Sequence, residues 1–290
     1  MEYNNICITG SSGFIGKNLI TYLKKRKVNI YELSLNPDNT NYFNISKLKN
    51  RNNLKKIFIK KKINCLINLS WSGIHTPYDI ICYKKNLKNL KILLNISLKA
   101  KIKKFVSIGS IDEYKISKEI FENNKTDKNT QNYYSKGKLE SLQLVKKFYE
   151  KNFVHLRIPN VYGFKKNKNF LINKIFNLNK LNKNITLKNL NQQKVYIFID
   201  DLTKAIFKVL HQNLEGVINI GQGKSISAYQ FARVYYKILN PHKKLQILNL
   251  KKNKKFLFTS KILKEKNYKH NLKDNFKKII KLQIRYHGNY

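Results

Sequence analysis

The feature that most constrains the fold is a glycine-rich segment near the start of the chain, residues 5–18. It opens with a short apolar run that predicts a buried strand, and Gly10, Gly13 and Gly16 then interrupt the run. Apolar residues follow at helical spacing over residues 15–23. A strand, a glycine turn and a helix start together form an anion site, because free backbone N–H groups and the positive end of the helix dipole point at one spot.

Each glycine has a role in such a turn. Gly10 allows the tight turn, Gly13 lets a pyrophosphate approach the backbone, and Gly16 lets the helix pack closely on the sheet. The spacing is GxxGxxG rather than the GxGxxG of the simplest dinucleotide fingerprint, and three glycines also occur in ordinary tight loops. Their place between a predicted strand and a predicted helix favours a dinucleotide site.

Strand-like and helix-like segments alternate after this motif. Strands are predicted over 28–33, 42–45, 63–69 and 104–108, and helices over 46–62 and 78–100. The alternation predicts the α/β class, with a Rossmann-type doubly wound parallel sheet whose ligands bind at the carboxyl ends of its strands. We expect a dinucleotide-binding domain over 1–163 and a smaller, mainly substrate-binding lobe over 164–290, with residues near 195–221 returning to the first domain.

Two helix starts are predicted in the C-terminal third. Asp200 and Asp201 precede a helix expected to begin near Leu202, which favours a capping role for Asp201. Ser227 is likewise expected to cap a helix over 228–239.

The end of the second predicted strand bears on the choice of cofactor. An acidic residue there would bind the adenosine ribose hydroxyls and favour NAD. The end position is nearest Ser34, and Glu32 lies two residues too early. Because a neutral end tolerates a 2′-phosphate, NADP is favoured over NAD, and both stay open.

Three residues form a candidate catalytic group. Ser110 follows the predicted strand 104–108, and Tyr134 and Lys138 stand four apart at a helix start, so they share one helix face. A free tyrosine has a pKa of about 10, and a nearby lysine cation is expected to lower it and make the phenol a usable acid or base. Ser110 would orient the substrate oxygen, and Lys138 would also bind the nicotinamide ribose. The YxxxK spacing alone also fits a solvated helix start.

The order of the motifs resembles the extended short-chain dehydrogenase/reductase family, which contains nucleotide-sugar epimerases, dehydratases and 4-ketoreductases. The similar segments are 9–16, 68–71, 86–87, 109–114, 134–139, 157–163, 194–201 and 219–223. Lys115 and Lys194 depart from the family pattern, since a glycine and an arginine are usual there. Lysine at 194 is a point charge rather than a fork for phosphate.

The resemblance implies an enzyme with a nicotinamide cofactor and gives roles to specific residues. Ser110, Tyr134 and Lys138 would be catalytic, and Asn160 and Lys194 would bind the diphosphate of a nucleotide-sugar substrate. Residues expected to contact the cofactor, besides Tyr134 and Lys138, are Gly10, Gly13, Phe14, Ile15, Gly16, Ser34, Asn44, Ile45, Leu69, Ser70, Trp71 and Asn86.

The residues after Ser110 bear on the reaction. In the family, 4,6-dehydratases carry an Asp-Glu pair directly after the serine or threonine, whereas here Ile111 intervenes and Asp112 and Glu113 come one position late. Side chains alternate along a strand end, so the shift is expected to aim both carboxylates away from the site. The pattern Gly-Ser-x-x-Glu-Tyr resembles the 4-ketoreductase branch. We therefore expect 4-keto reduction or C4 epimerisation of a nucleoside-diphosphate (deoxy)sugar for surface polysaccharide synthesis, with 4,6-dehydration as an alternative.

The net charge of +43, from 59 Lys+Arg against 16 Asp+Glu, has two interpretations. One is a nucleic-acid or polyanion surface. The other, which we favour, is coding bias, because lysines are spread along the chain beside abundant Asn and Ile; nucleic-acid binding would then be non-specific. A catalytically silent family member that binds a dinucleotide and RNA is the alternative of a different class.

Three further expectations concern the cellular setting. Cys7, Cys65 and Cys82 are odd in number and share no metal-ligand spacing, which favours free thiols in a reducing cytoplasm and no metal site. We also expect no membrane span and no targeting peptide. The family resemblance implies a homodimer through the predicted helices at 78–100 and 134–151.

Overall fold

A computed structural model describes residues 3–34, 42–44, 51–115, 117–164, 170–181, 185–188, 190–221, 223–243, 245–248, 254–263 and 271–287. The strands are β1 (Asn5–Thr9), β2 (Asn29–Ser34), β3 (Tyr42–Asn44), β4 (Cys65–Asn68), β5 (Lys104–Ser110), β6 (Glu119–Ile120), β7 (Phe153–Ile158), β8 (Asn160–Tyr162), β9 (Thr186–Lys188), β10 (Gln193–Lys194), β11 (Tyr196–Phe198), β12 (Gly216–Asn219), β13 (Gly223–Lys224), β14 (Ile226–Ser227), β15 (Gln246–Leu248) and β16 (Leu257–Phe258). The helices are α1 (Phe14–Lys24), α2 (Arg51–Lys60), α3 (Ile80–Lys99), α4 (Tyr133–Tyr149), α5 (Leu171–Lys180), α6 (Ile199–His211), α7 (Ala228–Leu239) and α8 (Leu272–His287).

The central layer is a seven-stranded sheet in the order β12-β7-β5-β4-β1-β2-β3. Each pairing in it is parallel. The chain winds outward from β1 to β3 on one side and from β4 to β12 on the other, so the order reverses between β1 and β4. This arrangement confirms the predicted Rossmann-type doubly wound sheet, and it places the ligand crevice at the carboxyl ends of these two strands.

Two hydrophobic clusters cover the two faces of the sheet, which explains why its inner strands are apolar throughout. On one face α1 and α6 pack together, with Leu19 and Ile206 fully buried. On the other face α3 and α4 pack against the sheet, with Leu94 and Val145 fully buried. Every residue of β4 and of β7 is buried. The same face-to-face packing fixes where each strand ends, and so where the site is built.

Smaller sheets follow in the C-terminal part: β8 with β11, β9 with β15, β10 with β14, and β6 with β16 and β13. The α7 helix begins with a capping box of Ser227 and Gln230, which confirms the predicted cap. The prediction for α6 is wrong, because this helix begins at Ile199 and its N-cap is Phe198, without a side-chain cap. Asp200 and Asp201 therefore lie in its first turn, where carboxylates favour the positive end of the dipole.

Two further features of the described residues bear on the setting. No helix among them is both long enough and apolar enough to cross a bilayer. Cys7, Cys65 and Cys82 are free thiols, and burial raises the pKa of Cys7 and of Cys65 well above the usual range. Cys7 and Cys65 therefore act as small core residues rather than as reactive groups.

Candidate functional site

The turn between β1 and α1 is built so that only glycine fits two of its positions. Gly10 has a φ of +66°, and a Cβ there would lie 2.8 Å from the Ser70 backbone nitrogen. A Cβ on Gly16 would lie 2.4 Å from the Gly10 carbonyl oxygen. The N-cap of α1 is Gly13, which offers no side-chain cap, so the backbone N–H groups of the first turn face the crevice without a capping side chain. This geometry suits an anion.

The same turn contains a buried hydroxyl group that a bound dinucleotide would satisfy. The Ser11 side chain is buried, and its hydroxyl is the one buried side-chain oxygen or nitrogen of the described residues that has no hydrogen-bond partner. Such a group costs free energy unless a ligand satisfies it. A glycine cradle with a free helix N-terminus and an unpartnered hydroxyl fits a pyrophosphate.

The loop after β4 forms the opposite wall of the crevice. The Thr9 hydroxyl donates to Asn68 Oδ1 at 2.6 Å, and the Ser70 hydroxyl donates to the same oxygen at 2.8 Å. Asn86 on α3 clamps the loop further along, since its amide accepts from Ser72 N–H and donates to Ser72 C=O, both at 2.9 Å. These bonds use both polar ends of the Asn86 side chain, so its visible role is to hold the loop.

The predicted catalytic residues converge at the carboxyl end of β5. Ser110 is its last residue, and Tyr134 and Lys138 stand on the first two turns of α4, which packs on β5. Lys138 donates to the Ile108 carbonyl at 2.8 Å, and its Nζ lies 5.6 Å from the centroid of the Tyr134 ring. Trp71, from the loop after β4, stands edge-to-face on Tyr134, with ring centroids 6.1 Å apart. The structure thus brings together two walls of one crevice.

Burial dominates the protonation of this group. It raises the pKa of Tyr134 above its usual range, the charges of Asp112 and Glu113 add to the rise, and hydrogen bonding with Ser110 opposes it. Burial also lowers the pKa of Lys138 to about 7, although the charge of Glu113 acts the other way. The expectation of a lowered Tyr134 pKa is therefore wrong for this structure, because burial and the charges of Asp112 and Glu113 outweigh the influence of Lys138, whose ammonium group donates to Ile108.

The expectation for the two carboxylates holds for one and is wrong for the other. Asp112 stays at the site, since the Ser110 hydroxyl donates to its Oδ2 at 3.1 Å and its charge acts on Tyr134. Burial raises the pKa of Asp112, while Ser110 and the charge of Lys194 oppose the rise. The reason is local: residues 111–113 form a one-turn 3-10 helix rather than an extended strand end, so side chains do not alternate.

Glu113 points inward and organises a buried network that the sequence did not predict. It accepts from the Ser110 N–H at 2.7 Å and from Arg157 Nε at 2.7 Å, and it contacts His155 Nε2 at 3.0 Å. Burial alone would raise the pKa of Glu113, but His155, Arg157 and Ser110 together lower it to about 2. A Cβ on Gly109 would come within 2.3 Å of both Glu113 and His155, so the glycine leaves room for the pair.

The two predicted substrate-binding residues lie beside each other. Asn160 begins β8, and its N–H donates to the Val195 carbonyl at 3.1 Å, next to Lys194. The Asn160 side chain is exposed, and the charge of Lys194 reaches Asp112. A cation and an exposed amide therefore border the same crevice as Ser110 and Tyr134.

Comparison with known proteins agrees with this geometry. Residues 6–221, well over half of the chain, match the NAD dependent epimerase/dehydratase family. The chain belongs to that family. It is accordingly an enzyme of the NAD-dependent epimerase/dehydratase type, as the resemblance of its motifs implied.

Two relatives in sequence and one solved structure are similar to this chain. A dTDP-D-glucose 4,6-dehydratase of Dictyostelium discoideum is 28% identical over 81% of this chain, which spans 61% of that protein's length. A GDP-6-deoxy-D-talose 4-dehydrogenase of Aggregatibacter actinomycetemcomitans is 27% identical over 80% of this chain and 79% of its own. The solved UDP-N-acetylglucosamine 4-epimerase of Methanobrevibacter ruminantium M1, in complex with UDP-N-acetylmuramic acid, superposes with a TM-score of 0.80 at 19% identity, covering 99% and 100% of the two chains.

The remaining predicted cofactor residues lie at the carboxyl ends of strands, directly after one, or at the start of α1. Ser34 ends β2 and pairs with Asn44, which ends β3, and Ile45 lies outside the described residues. Ile15 packs partly buried against the core, as does Phe14, whose ring lies 6.4 Å from that of Phe170. Leu69 is also partly buried beside the core. Contact of these residues with a cofactor stays a prediction.

Proposed function

We propose that this protein reduces the 4-keto group of a nucleoside-diphosphate deoxysugar, with Tyr134 as the proton donor. The observation that carries the proposal is the convergence of Ser110, Tyr134 and Lys138 at the carboxyl end of β5, beside a glycine turn that fits a dinucleotide. The reaction class is that of the 4-dehydrogenase relative.

The residues divide the work in the proposed reaction. A bound nicotinamide supplies the hydride for the sugar carbon. Tyr134 gives its phenolic proton to the developing C4 alkoxide. The Ser110 hydroxyl, which donates to Asp112 in this structure, would turn its hydrogen bond to the same oxygen and orient it. Lys138, as a cation, stabilises the phenolate left behind.

The end of β2 supports reduction over epimerisation. An epimerase must hold NAD through its cycle, whereas a reductase exchanges NADPH at each turnover, and no acid that would bind the NAD ribose lies at Ser34. Burial keeps Tyr134 protonated near neutrality, which is the form that a proton donor needs. C4 epimerisation, which would use the same tyrosine, is therefore the less favoured of the two expected reactions.

The test is consumption of NADPH and NADH by purified protein with a panel of nucleotide-linked 4-keto-6-deoxy sugars. We expect cofactor oxidation that falls at least about a hundred-fold in Tyr134→Phe, since a missing general acid costs that much. Interconversion of a sugar pair without net consumption would replace reduction by epimerisation. Cofactor binding without turnover of any sugar would favour the silent dinucleotide-binding alternative.

A second candidate, 4,6-dehydration, is supported by Asp112. A carboxyl with a raised pKa that is bonded to Ser110 could take part in removing water. The relative from Dictyostelium carries this activity in its name. The test is formation of a 4-keto-6-deoxy sugar from a nucleoside-diphosphate hexose. This candidate would be favoured if the wild type forms that product and Asp112→Asn does not, while the variant still exchanges hydride with the substrate.

NADP is the cofactor we propose over NAD. The acid nearest the end of β2, Glu32, is buried and lies 3.8 Å from Lys24 Nζ, so a basic residue faces it. Its position two residues before the strand end supports a pocket without the ribose-binding acid. Direct titration should give tighter binding of NADPH than of NADH, and equal or reversed affinities would overturn the preference.

The proposed substrate carries a diphosphate, which Asn160 and Lys194 would bind. Both residues border the crevice, and the positive charge of Lys194 acts on Asp112, which is bonded to Ser110. We expect Lys194→Met to raise the KM for the nucleotide sugar about ten-fold with little change in kcat, while Lys194→Arg keeps the wild-type KM. An unchanged KM in Lys194→Met would remove Lys194 from the substrate site.

We propose a homodimer through α3 and α4, as the family resemblance of the sequence implies. The groove between these helices exposes parts of Leu87 and Leu144, but Lys88, Lys91 and Lys147 also line it, so the face is partly apolar and partly basic. Like charges would oppose pairing at low salt. Light scattering should therefore show a dimer that strengthens as salt rises and is lost in Leu144→Glu.

The proposed location is the cytoplasm, and any binding of nucleic acid is proposed to be non-specific. Free thiols at Cys7, Cys65 and Cys82 support a reducing compartment. Exposed lysines on α2, α3, α4, α6 and α7 support a diffuse field rather than a reading surface. Fractionation of cells tests the first, and equal affinity for unrelated RNA sequences tests the second.

A further inference from the structure

Trp71 contacts both of the groups that act on the proton in the proposed reaction, Tyr134 and Lys138. The Lys138 Nζ lies 3.9 Å from the centroid of the Trp71 ring, which is cation–π distance. The rings of Trp71 and Tyr134 are nearly perpendicular, with 87° between their planes and 6.1 Å between their centroids. Trp71 is also the single tryptophan of the chain.

The indole is held in place from several sides. A Cβ on Gly137 would lie 3.0 Å from Trp71 Cζ2, so α4 comes close to the ring at the position where it has no side chain. Tyr83 of α3 borders the same spot. The next residue along the chain, Ser72, is fixed by two hydrogen bonds with Asn86: its N–H donates to the amide oxygen, and its carbonyl accepts from the amide nitrogen. The ring therefore has little freedom to leave Lys138.

The contact matters because Lys138 is almost fully buried. A buried ammonium has lost most of its water, and the Ile108 carbonyl satisfies only one of its three N–H donors. The Trp71 face is the nearest aromatic partner of this charge, since the Tyr134 ring centroid is farther away at 5.6 Å, and the charge of Glu113 also favours the cation. Removing that face should make the cation less stable and let the side chain move relative to Tyr134.

We propose that Trp71 is a positioning residue for the reaction: its face holds the ammonium group of Lys138, and its perpendicular packing against Tyr134 fixes the phenol ring. This inference rests on the proposed function, in which Tyr134 and Lys138 act on the sugar. It goes beyond a cofactor-lining role for Trp71, because it assigns the residue to the charge state of Lys138 and the orientation of Tyr134.

The first test measures the contact itself and needs no substrate. The chain has one tryptophan, so emission excited selectively from tryptophan, at wavelengths that the 18 tyrosines do not absorb, reports on Trp71 alone. A pH titration of this emission in the wild type should show an inflection near pH 7, where Lys138 loses its proton. The inflection should be absent in Lys138→Met and in Lys138→Arg, whose guanidinium stays charged. An absent inflection in the wild type, or one that persists in both variants, would overturn the contact.

Other charged or titratable groups surround this pair and need a control. The turn after β5 contributes Asp112 and Glu113, α4 contributes Tyr133, Tyr134, Lys136 and Glu140, α3 contributes Tyr83, and β7 contributes His155 and Arg157 through Glu113. We expect His155→Gln to keep the inflection. If the inflection disappears there while Lys138→Met retains it, the signal belongs to the buried network and the proposal fails.

The second test separates positioning from packing and from cofactor binding. Trp71→Phe keeps a face and an edge, so kcat should stay within about three-fold of wild type, whereas Trp71→Leu should lower kcat about thirty-fold with the sugar KM nearly unchanged. The basic limb of the kcat–pH profile should move to lower pH in Trp71→Leu. Equal losses in both variants, no loss in Trp71→Leu, or a loss confined to NADPH affinity would overturn the proposal.

The two tests fail independently. If no sugar is turned over by the wild type, the proposed function fails, and the fluorescence titration still decides whether Lys138 titrates against Trp71. If turnover is present and depends on Tyr134 but not on Trp71, the proposed function stands and the positioning role is wrong.

Discussion

Lys138 shows at the scale of one residue that this site is arranged for charge rather than for stability. Its side chain is 6% exposed, and burial brings its pKa from 10.5 to about 7. A lysine whose pKa is lower in the folded state destabilises the fold at every pH below the folded value. The cost shrinks as pH rises from 7 to 10.5 and vanishes above that, where the group is neutral in both states. Such a cost is typical of a functional group.

Lys138→Met should therefore raise stability while it removes activity. Each unit of pKa difference is worth about 1.4 kcal/mol, so the upper bound is about 5 kcal/mol, and loss of the bonds to Ile108 and Trp71 should reduce the gain to about 3 kcal/mol. Urea unfolding at pH 6.5 and at pH 10 measures the gain and its decline, with Lys136→Met on the exposed side of α4 as the control. Lower stability of Lys138→Met at pH 6.5 would contradict the prediction.

At the scale of elements, the turn that begins at Ser110 (residues 110–113) depends on the contact between the neighbouring strands β5 and β7. Glu113 is fully buried and ties the end of β5, through Ser110 N–H, to His155 and Arg157 of β7. Breaking one member of such a buried network leaves the others unpaired, which costs several kcal/mol. The position of Ser110 therefore depends on Glu113, His155 and Arg157, all of which are buried.

Glu113→Gln should lower the free energy of unfolding by about 3 kcal/mol at neutral pH. The pKa of Glu113 falls from 4.5 in the unfolded chain to about 2 in the fold, so its contribution is complete above pH 4.5 and is lost as pH falls from 4.5 to 2. Denaturant unfolding along that range should show wild type and Glu113→Gln converging in acid. Asp127→Asn, in the same loop region, is the control, and parallel curves would contradict the role of Glu113.

Local patterns could be predicted from the sequence, and long-range partners could not. The glycine turn at Gly10 and the Ser227 cap depend on neighbouring residues, so their signals lie within a few positions. Glu113 meets His155 and Arg157 at separations of 42 and 44 residues, and no spacing rule encodes that meeting. Gly109 next to Ser110 was the one available signal, since a glycine at a strand end indicates close approach of another group.

The prediction that the pKa of Tyr134 is lowered was wrong for a related reason. The i, i+4 spacing correctly placed Tyr134 and Lys138 on one face of α4. It carried no information on burial, on the Ile108 carbonyl that binds Lys138, or on the turn that brings Asp112 to Ser110. Charge balance in a site depends on every element that packs there, so it requires the tertiary structure.

The whole molecule carries a net charge of +43, and this field acts on any anionic substrate. Exposed lysines occur on helices of both faces of the sheet, including Lys60, Lys88 and Lys204, so the potential surrounds the molecule. A nucleotide sugar with a diphosphate would be attracted toward the protein at a distance, and added salt would screen that attraction. This attraction raises the rate at which substrate and protein meet, and it does not change the rate of the chemical step.

We therefore expect kcat/KM for a nucleotide-sugar substrate to fall about ten-fold between 50 and 500 mM salt, while kcat changes less than about two-fold. Steady-state kinetics with saturating cofactor measures both, and sucrose at equal osmolality controls for effects unrelated to ions. Unrelated RNA should inhibit at low salt and lose its effect at high salt, because it competes through the same field. Equal salt dependence of kcat and kcat/KM would mean that the charge acts inside the site, and RNA inhibition that resists salt would point instead to a built nucleic-acid surface.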